Sequence, residues 1–157
     1  MISIDIPGLK KIEVKNVVFD FNGTIAEDGI LIAGVADKIR EITDKGVRVF
    51  VITSDTNYTV EKQCAKLPVM IVKFDCEDAA AGKKKIVEEL GAASTVAVGN
   101  GRNDAEMFKA SILSIAVIGK EGCAAKTLME SDVVVKSPID AVEILLQSNR
   151  LKATLRT

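Results

Sequence analysis

The chain has 157 residues, enough for one domain with a full core, and its 48% hydrophobic and 27% charged content is that of a globular protein. The 21 basic and 22 acidic residues nearly cancel, which excludes a global basic field for nucleic acid, and histidine is absent. Ser-His-Asp and Cys-His catalysis, imidazole-bound zinc and histidine acid–base work are thereby excluded, so chemistry must run on carboxylates, lysine, hydroxyls, backbone amides or a metal held by oxygen.

Scarce aromatics and the lack of tryptophan argue against a base-stacking platform. The cysteines, Cys64, Cys76 and Cys123, are odd in number, far apart and form no CxxC pair; reduced thiols in a cytoplasmic protein are expected. The first residues, with an early acid and a proline, do not read as a signal peptide, and no apolar run approaches the roughly 20 residues that cross a bilayer.

In chain order, residues 2–6 and 11–14 alternate apolar and polar around Pro7-Gly8 and predict a hairpin or edge addition over 1–15. A buried strand follows over 16–21, then a small hairpin flap over 25–32 turning at Asp28-Gly29. An amphipathic helix over 35–45 carries Val35, Ile39 and Ile42 on one stripe and stops at Gly46. Strands over 47–52, 69–74, 95–98, 112–118 and 133–135 then alternate with helices over 58–67, 79–90, 104–110, 122–129 and 139–147. Ser137-Pro138 opens the last of these helices. Short, continuous, Val- and Ile-rich strands between helices are the signature of a parallel sheet covered on both faces. The expectation is one α/β domain over 1–157: three layers, Rossmann-like, with a mostly parallel sheet of five or six strands. Residues 149–157, with Arg150, Lys152 and Arg156, read as a solvated helix end or tail.

Polar groups follow the ends of successive strands. Asp20 follows the first core strand, Thr53 and Ser54 the second, Lys83 to Lys85 lie on the helix after the third, and Asn100, Asn103 and Asp104 follow the fourth. Parallel strands point their C-terminal ends the same way, so these groups can converge on one crevice. The set suits phosphoryl chemistry. A carboxylate can attack phosphorus, a divalent cation can bridge two anions, and a hydroxyl and backbone amides can hold the remaining oxygens. Magnesium tolerates bound water, so two or three protein oxygens suffice. Three lysines near a helix N-terminus oppose its dipole, a conflict that one lysine turned toward an anion would explain. The stretch is not a Walker motif, since Lys84 rather than Ser or Thr follows Lys83.

In order and placement these motifs resemble those of the haloacid dehalogenase superfamily and, within it, the phosphorylation domain of P-type ATPases. Asp20-Phe21-Asn22-Gly23-Thr24 matches Asp-x-x-Gly-Thr after an apolar strand, and Val51-Ile52-Thr53-Ser54-Asp55 matches an apolar strand ending in Thr or Ser. Lys83 to Leu90 is similar to the pump pattern Lys-x-x-Ile-Val-x-x-Leu, which selects Lys83, and Gly99 to Asp104 matches Gly-Asp-Gly-x-Asn-Asp except at Asn100. The resemblance covers residues 14–136. It implies that Asp20 is the nucleophile, assisted by Asn22, Thr53 and Lys83. It also implies a Mg2+ held by Asp20, Asn22 and Asn100, with Asp104 in that set or behind it, orienting a water or the lysine. Thr53, Ser54, Lys83, Asn103 and Gly23 would hold the phosphoryl group.

Two positions depart from the pattern. Asn22 stands where many soluble phosphatases of the family have an acid–base Asp, and an amide cannot transfer a proton; the pumps also lack this acid, and their aspartyl-phosphate is long-lived. Asn100 stands where a metal-binding Asp is usual, which removes one negative charge; Asp104 or Asp55 are the candidates to compensate. Only 30 positions separate Thr53 from Lys83 and only a flap fits after Thr24, so no cap domain is expected. An open site suits a large substrate or closure by a neighbouring subunit, and a homo-oligomer, dimer or tetramer, is the expectation. The implied substrate is a phosphomonoester or nucleotide, on a small molecule or macromolecule, with no nucleic-acid or membrane partner. Arg102, Asn57, Glu27 and Asp28 are the rim candidates. A regulatory or scaffolding module that has lost hydrolysis is the alternative that Asn22 and Asn100 motivate. A receiver-type domain fits less well, because Asp75-Cys76-Glu77 lacks the companions an acceptor there requires.

Overall fold

The computed structural model describes residues 1–54, 58–74 and 77–157. β1 (Ile2–Asp5) and β2 (Lys11–Val14) form an antiparallel hairpin in which Ile4 faces Ile12 and Ile2 faces Val14, so one side is buried. β3 (Asn16–Asp20) follows, and then β4 (Ala26–Glu27) and β5 (Ile30–Leu31) form the flap. Its turn has positive φ at both Asp28 (49°) and Gly29 (77°), as a two-residue hairpin of this hand requires. The chain continues through α1 (Val35–Asp44), β6 (Arg48–Thr53), α2 (Thr59–Cys64), β7 (Val69–Lys73), α3 (Ala79–Gly91) and β8 (Thr95–Gly99). It closes with α4 (Ala105–Ala110), β9 (Leu113–Val117), α5 (Ala125–Met129), β10 (Val133–Val135), α6 (Pro138–Leu146) and α7 (Ser148–Leu155).

Six strands pair in parallel in the order β10-β9-β8-β3-β6-β7. Strand periodicity of two sends alternate side chains to opposite faces, and both faces are covered. Val17, Phe19, Val49, Val51, Val96 and Val98 pack with Ile39 and Ile42 of α1, Val60 of α2 and Leu145 of α6. Val18, Phe50, Ile52 and Ala97 pack on the other face with Ile86 and Val87 of α3 and Met107 and Phe108 of α4. Each such side chain contributes about 1.5–3 kcal/mol when fully buried, which is why these strands read as unbroken apolar runs. From β3 the chain builds outward through β6 and β7, then crosses back to place β8, β9 and β10 on the other side. The reversal falls between β3 and β8, and the carboxyl ends of those strands open a crevice there.

Several boundaries differ from the sequence-based expectations. Residues 149–157 are not a tail: α7 runs through most of them and buries Leu151 in the main core, packing on β1 and α6. Charge at Arg150, Lys152 and Arg156 hid this helix, whose apolar pair Leu151 and Leu155 is four residues apart and meets the core as one stripe. The helix expected over 122–129 starts only at Ala125, because Gly122 adopts φ 74° and closes a turn with Gly119. The one expected over 58–67 shrinks to α2, and a 3-10 turn (Arg102–Asp104) precedes α4. Ser137 caps α6 as expected, its hydroxyl accepting from the Asp140 N–H at 3.1 Å. Asp55, Asn57, Asp75 and Cys76 lie outside the described residues. Among the described residues no helix is long and apolar enough to cross a membrane.

Candidate active site

The crevice at the β3–β8 reversal is a cleft of about 440 Å³ lined by Asp20, Phe21, Asn22, Thr53, Ser54, Lys83, Asn100, Gly101, Asn103 and Glu121. Asp20 is the last residue of β3 and Thr53 the last of β6, so neighbouring strands present them side by side. Lys83 arrives from α3 on the other layer. It is the lysine of the triplet that faces inward, 3% exposed, while Lys84 and Lys85 pair with Glu88 and Glu89 on the solvent side at 3.8 and 3.7 Å. The capping of α3 falls instead to Asp78, whose carboxylate accepts from the Ala80 and Ala81 N–H groups.

Lys83 is the hub. Its Nζ donates to Asp20 Oδ1 at 2.7 Å, to Asp104 Oδ1 at 2.6 Å and to Asn103 Oδ1 at 3.0 Å, which uses all three donors of an ammonium group. Asp104 is fully buried, and its second oxygen accepts from the Asn100 and Gly101 N–H groups at 2.9 and 2.8 Å. This carboxylate does not line the cleft; it ties the turn after β8 to the lysine. Asn100 Oδ1 accepts from the Thr24 hydroxyl at 3.1 Å, and its Nδ2 donates to the Gly122 carbonyl at 3.0 Å.

Two glycines make this closeness possible. A Cβ on Gly23, which has φ 77°, would fall 2.3 Å from Asn100 Nδ2, and one on Gly99 would fall 2.4 Å from Asp104 Oδ2. The glycines of both motifs are therefore steric requirements of the site, which periodicity alone does not reveal.

The electrostatics follow from burial. The Asp20 carboxyl is pushed up to about 7, first by desolvation and then by the Asp104 carboxylate, against the opposing pull of Lys83. Burial works to lower the Lys83 ammonium, but Asp20 and Asp104 outweigh it and hold the group above its ordinary value. With all three groups charged the cluster carries a net −1, a site short of one positive charge. The available donors in the cleft are oxygens, and among the described residues no group of three or more His, Cys, Asp or Glu is arranged to hold a metal ion. One carboxylate and an amide oxygen fit a hard divalent cation that keeps much of its own water, and do not fit a soft metal.

Of the sequence candidates, Asp20, Asn22, Thr53, Ser54, Lys83, Asn100 and Asn103 line one cleft, Gly23 supports its floor and Asp104 stands behind it. Arg102 faces an adjoining hollow with Glu77, Glu106 and Lys126, and Glu27 pairs with Lys120 at 2.9 Å. Sequence reasoning missed Thr24, whose hydroxyl orients Asn100, and Glu121, which sits in a turn with no motif around it.

Comparison with known proteins accords with this arrangement. Residues 26–111 match the family model of haloacid dehalogenase-like hydrolases, and the chain belongs to that family. The matched stretch holds Thr53, Lys83 and the turn from Asn100 to Asp104, and begins just after Asp20 to Thr24. An uncharacterized protein of Methanocaldococcus jannaschii is 49% identical over 78 residues, 47% of this chain and 84% of that one. Among solved structures, the 3-deoxy-D-manno-octulosonate 8-phosphate phosphatase of Moraxella catarrhalis, in complex with magnesium, phosphate and its sugar acid, superposes with a TM-score of 0.72 at 15% identity. That match covers 91% of this chain and 94% of the other. A cobalt-bound form of the corresponding Haemophilus influenzae enzyme gives 0.72 at 15% identity over 92% and 94%. A phosphoserine phosphatase in its apo form gives 0.69 at 18% over 85% and 98%. At these identities the likeness is one of fold.

Proposed function

We propose that the protein is a phosphohydrolase that works through an aspartyl-phosphate on Asp20. The observation that carries this reading is the Asp20–Lys83–Asp104 cluster at the mouth of the sheet. A carboxylate held at 2.7 Å by a buried ammonium is positioned and desolvated, and the Thr24 hydroxyl approaches its other oxygen only to 3.5 Å, too long for a strong bond. That oxygen is available to attack phosphorus. Thr53, Ser54, Lys83 and Asn103 line the same cleft and would receive the transferred oxygens, with Gly23 packed against Asn100 to complete the cradle. The magnesium- and cobalt-bound phosphatases of the same fold support a divalent cation here. Asp20, Asn22 and Asn100 are the residues that would hold magnesium, which when bound supplies the missing positive charge and polarises the phosphoryl group.

Asp104 is assigned to anchoring, since both its oxygens are engaged away from the cleft. The lysine motif and the lack of an acid at Asn22 favour P-type-ATPase-like chemistry with a persistent phosphoenzyme and slow turnover. The cleft, flanked by the small flap and by a further hollow of about 510 Å³, suits a phosphomonoester on a molecule too large for an enclosed pocket. Incubating the protein with magnesium and a panel of phosphate esters should release phosphate slowly, and Asp20→Asn should abolish the release. Absence of both turnover and an acid-stable phosphoprotein would end this reading.

A further inference from the structure

We propose that Glu121 is the proton-transfer residue of this site, the acid and base that Asn22 cannot be. The inference rests on the aspartyl-phosphate reading above. Among the described residues lining the cleft, Asp20 and Glu121 are the only carboxylates. Asp20 is committed to phosphorus, Asp104 is sealed behind Lys83, and Glu27 is paired with Lys120.

Glu121 is also held in place. It sits in the Gly119–Gly122 turn, closed by the Gly122 N–H donating to the Gly119 carbonyl at 3.0 Å. Its Oε1 accepts from the Asp28 N–H of the flap at 3.1 Å, and the neighbouring Lys120 holds Glu27 of the same flap. The other side of the turn is pinned to the floor, where the Gly122 carbonyl accepts from Asn100 Nδ2. Among the described residues nothing donates to Glu121 Oε2, so one oxygen remains to exchange a proton across the cleft. The charged groups around it are Glu27 and Asp28 on the flap, Lys120 beside it, and Asp20 and Lys83 on the cleft floor.

In the first step Asp20 attacks phosphorus, the bond from phosphorus to the leaving oxygen breaks, and that oxygen takes the proton of the Glu121 carboxylic acid. In the second, the Glu121 carboxylate takes a proton from a water as its oxygen attacks phosphorus. The Asp20–phosphorus bond breaks with its electron pair returning to Asp20, phosphate departs, and Glu121 is protonated again. General acid–base help of this kind is worth roughly 10²–10⁴-fold.

Glu121→Gln isolates the role, because the amide oxygen still accepts from Asp28 but the side chain no longer carries a proton. With magnesium and p-nitrophenyl phosphate, whose leaving group needs little acid, the variant should release one equivalent of nitrophenolate and then turn over about 100-fold more slowly than wild type. With an alkyl phosphate it should lose the first step as well. Glu121→Asp should recover part of the rate. In an Asn22→Asp background, Glu121→Gln should lose most of its effect, since a second acid then stands in the cleft. Glu121→Gln turnover within about threefold of wild type on both esters, with Asp20→Asn inactive, would overturn the role of Glu121 and leave the phosphohydrolase reading standing. A wild-type protein that releases no phosphate and acquires no phosphoryl group would overturn both.

Discussion

Asp20 carries the reaction in this account and also burdens the fold. Its folded-state value, about 7, lies above the ordinary 3.8, so the stability it contributes is fully present below pH 3.8 and is lost as pH rises through 7. Asp20→Asn should therefore raise the unfolding free energy of metal-free protein by about 1–3 kcal/mol at pH 8, with the gain shrinking to nothing near pH 4. Denaturant titrations at the two pH values check this; a variant less stable than wild type at pH 8 would refute the charge balance described for the cluster. In a Glu121→Gln background, Asn22→Asp should raise turnover roughly 10- to 100-fold by restoring a proton donor. Steady-state kinetics on an alkyl phosphate test it, and an unchanged rate would mean that proton transfer does not limit this site.

At the level of the elements, the turns matter as much as the strands. Gly23→Ala demands a left-handed alanine whose Cβ would lie 2.3 Å from the Asn100 amide, so it should displace Asn100 and destabilise the protein by about 1–3 kcal/mol. Weakened magnesium binding by calorimetry should accompany the loss; unchanged affinity would show that Asn100 tolerates displacement. Helix α7 offers the opposite case, structure without chemistry. Leu151→Ala should cost about 2–4 kcal/mol in thermal or denaturant unfolding while leaving the rate at low temperature untouched. The strands and the flap were legible because Val17 to Phe19 and Val49 to Ile52 are continuous apolar runs and Asp28-Gly29 is a turn dipeptide. Helix α7 was not, because only Leu151 and Leu155 mark its buried stripe among charged neighbours. Nor was the late start of α5, since a left-handed Gly122 is a tertiary choice and not a propensity.

For the whole molecule, the candidate site lies where the order of the sheet reverses. Motifs spread from Asp20 to Asp104 meet because β3, β6 and β8 are adjacent and parallel, so their ends share one rim. That convergence was readable from strand ends alone, and the choice of Lys83 among three lysines followed from its motif. What the sequence hid were the contacts made by residues outside any motif. Glu121 is an exposed glutamate with no motif around it, and only the flap and the Gly119–Gly122 turn set it at the rim of the cleft. Asn16, at the far end of β3, looks like a strand edge until its side chain is seen donating to the Leu90 carbonyl at 2.9 Å and accepting from Arg48 at 2.9 Å. Such residues are defined by the partners that folding delivers, and the partners are distant in the chain. The most direct test of the central claim is borohydride reduction of protein quenched during turnover with magnesium and a phosphate ester, followed by peptide mass spectrometry. An acyl phosphate on Asp20 would appear as homoserine at position 20 in wild type and vanish in Asp20→Asn; reduction at another residue, or at none while phosphate is being released, would contradict it.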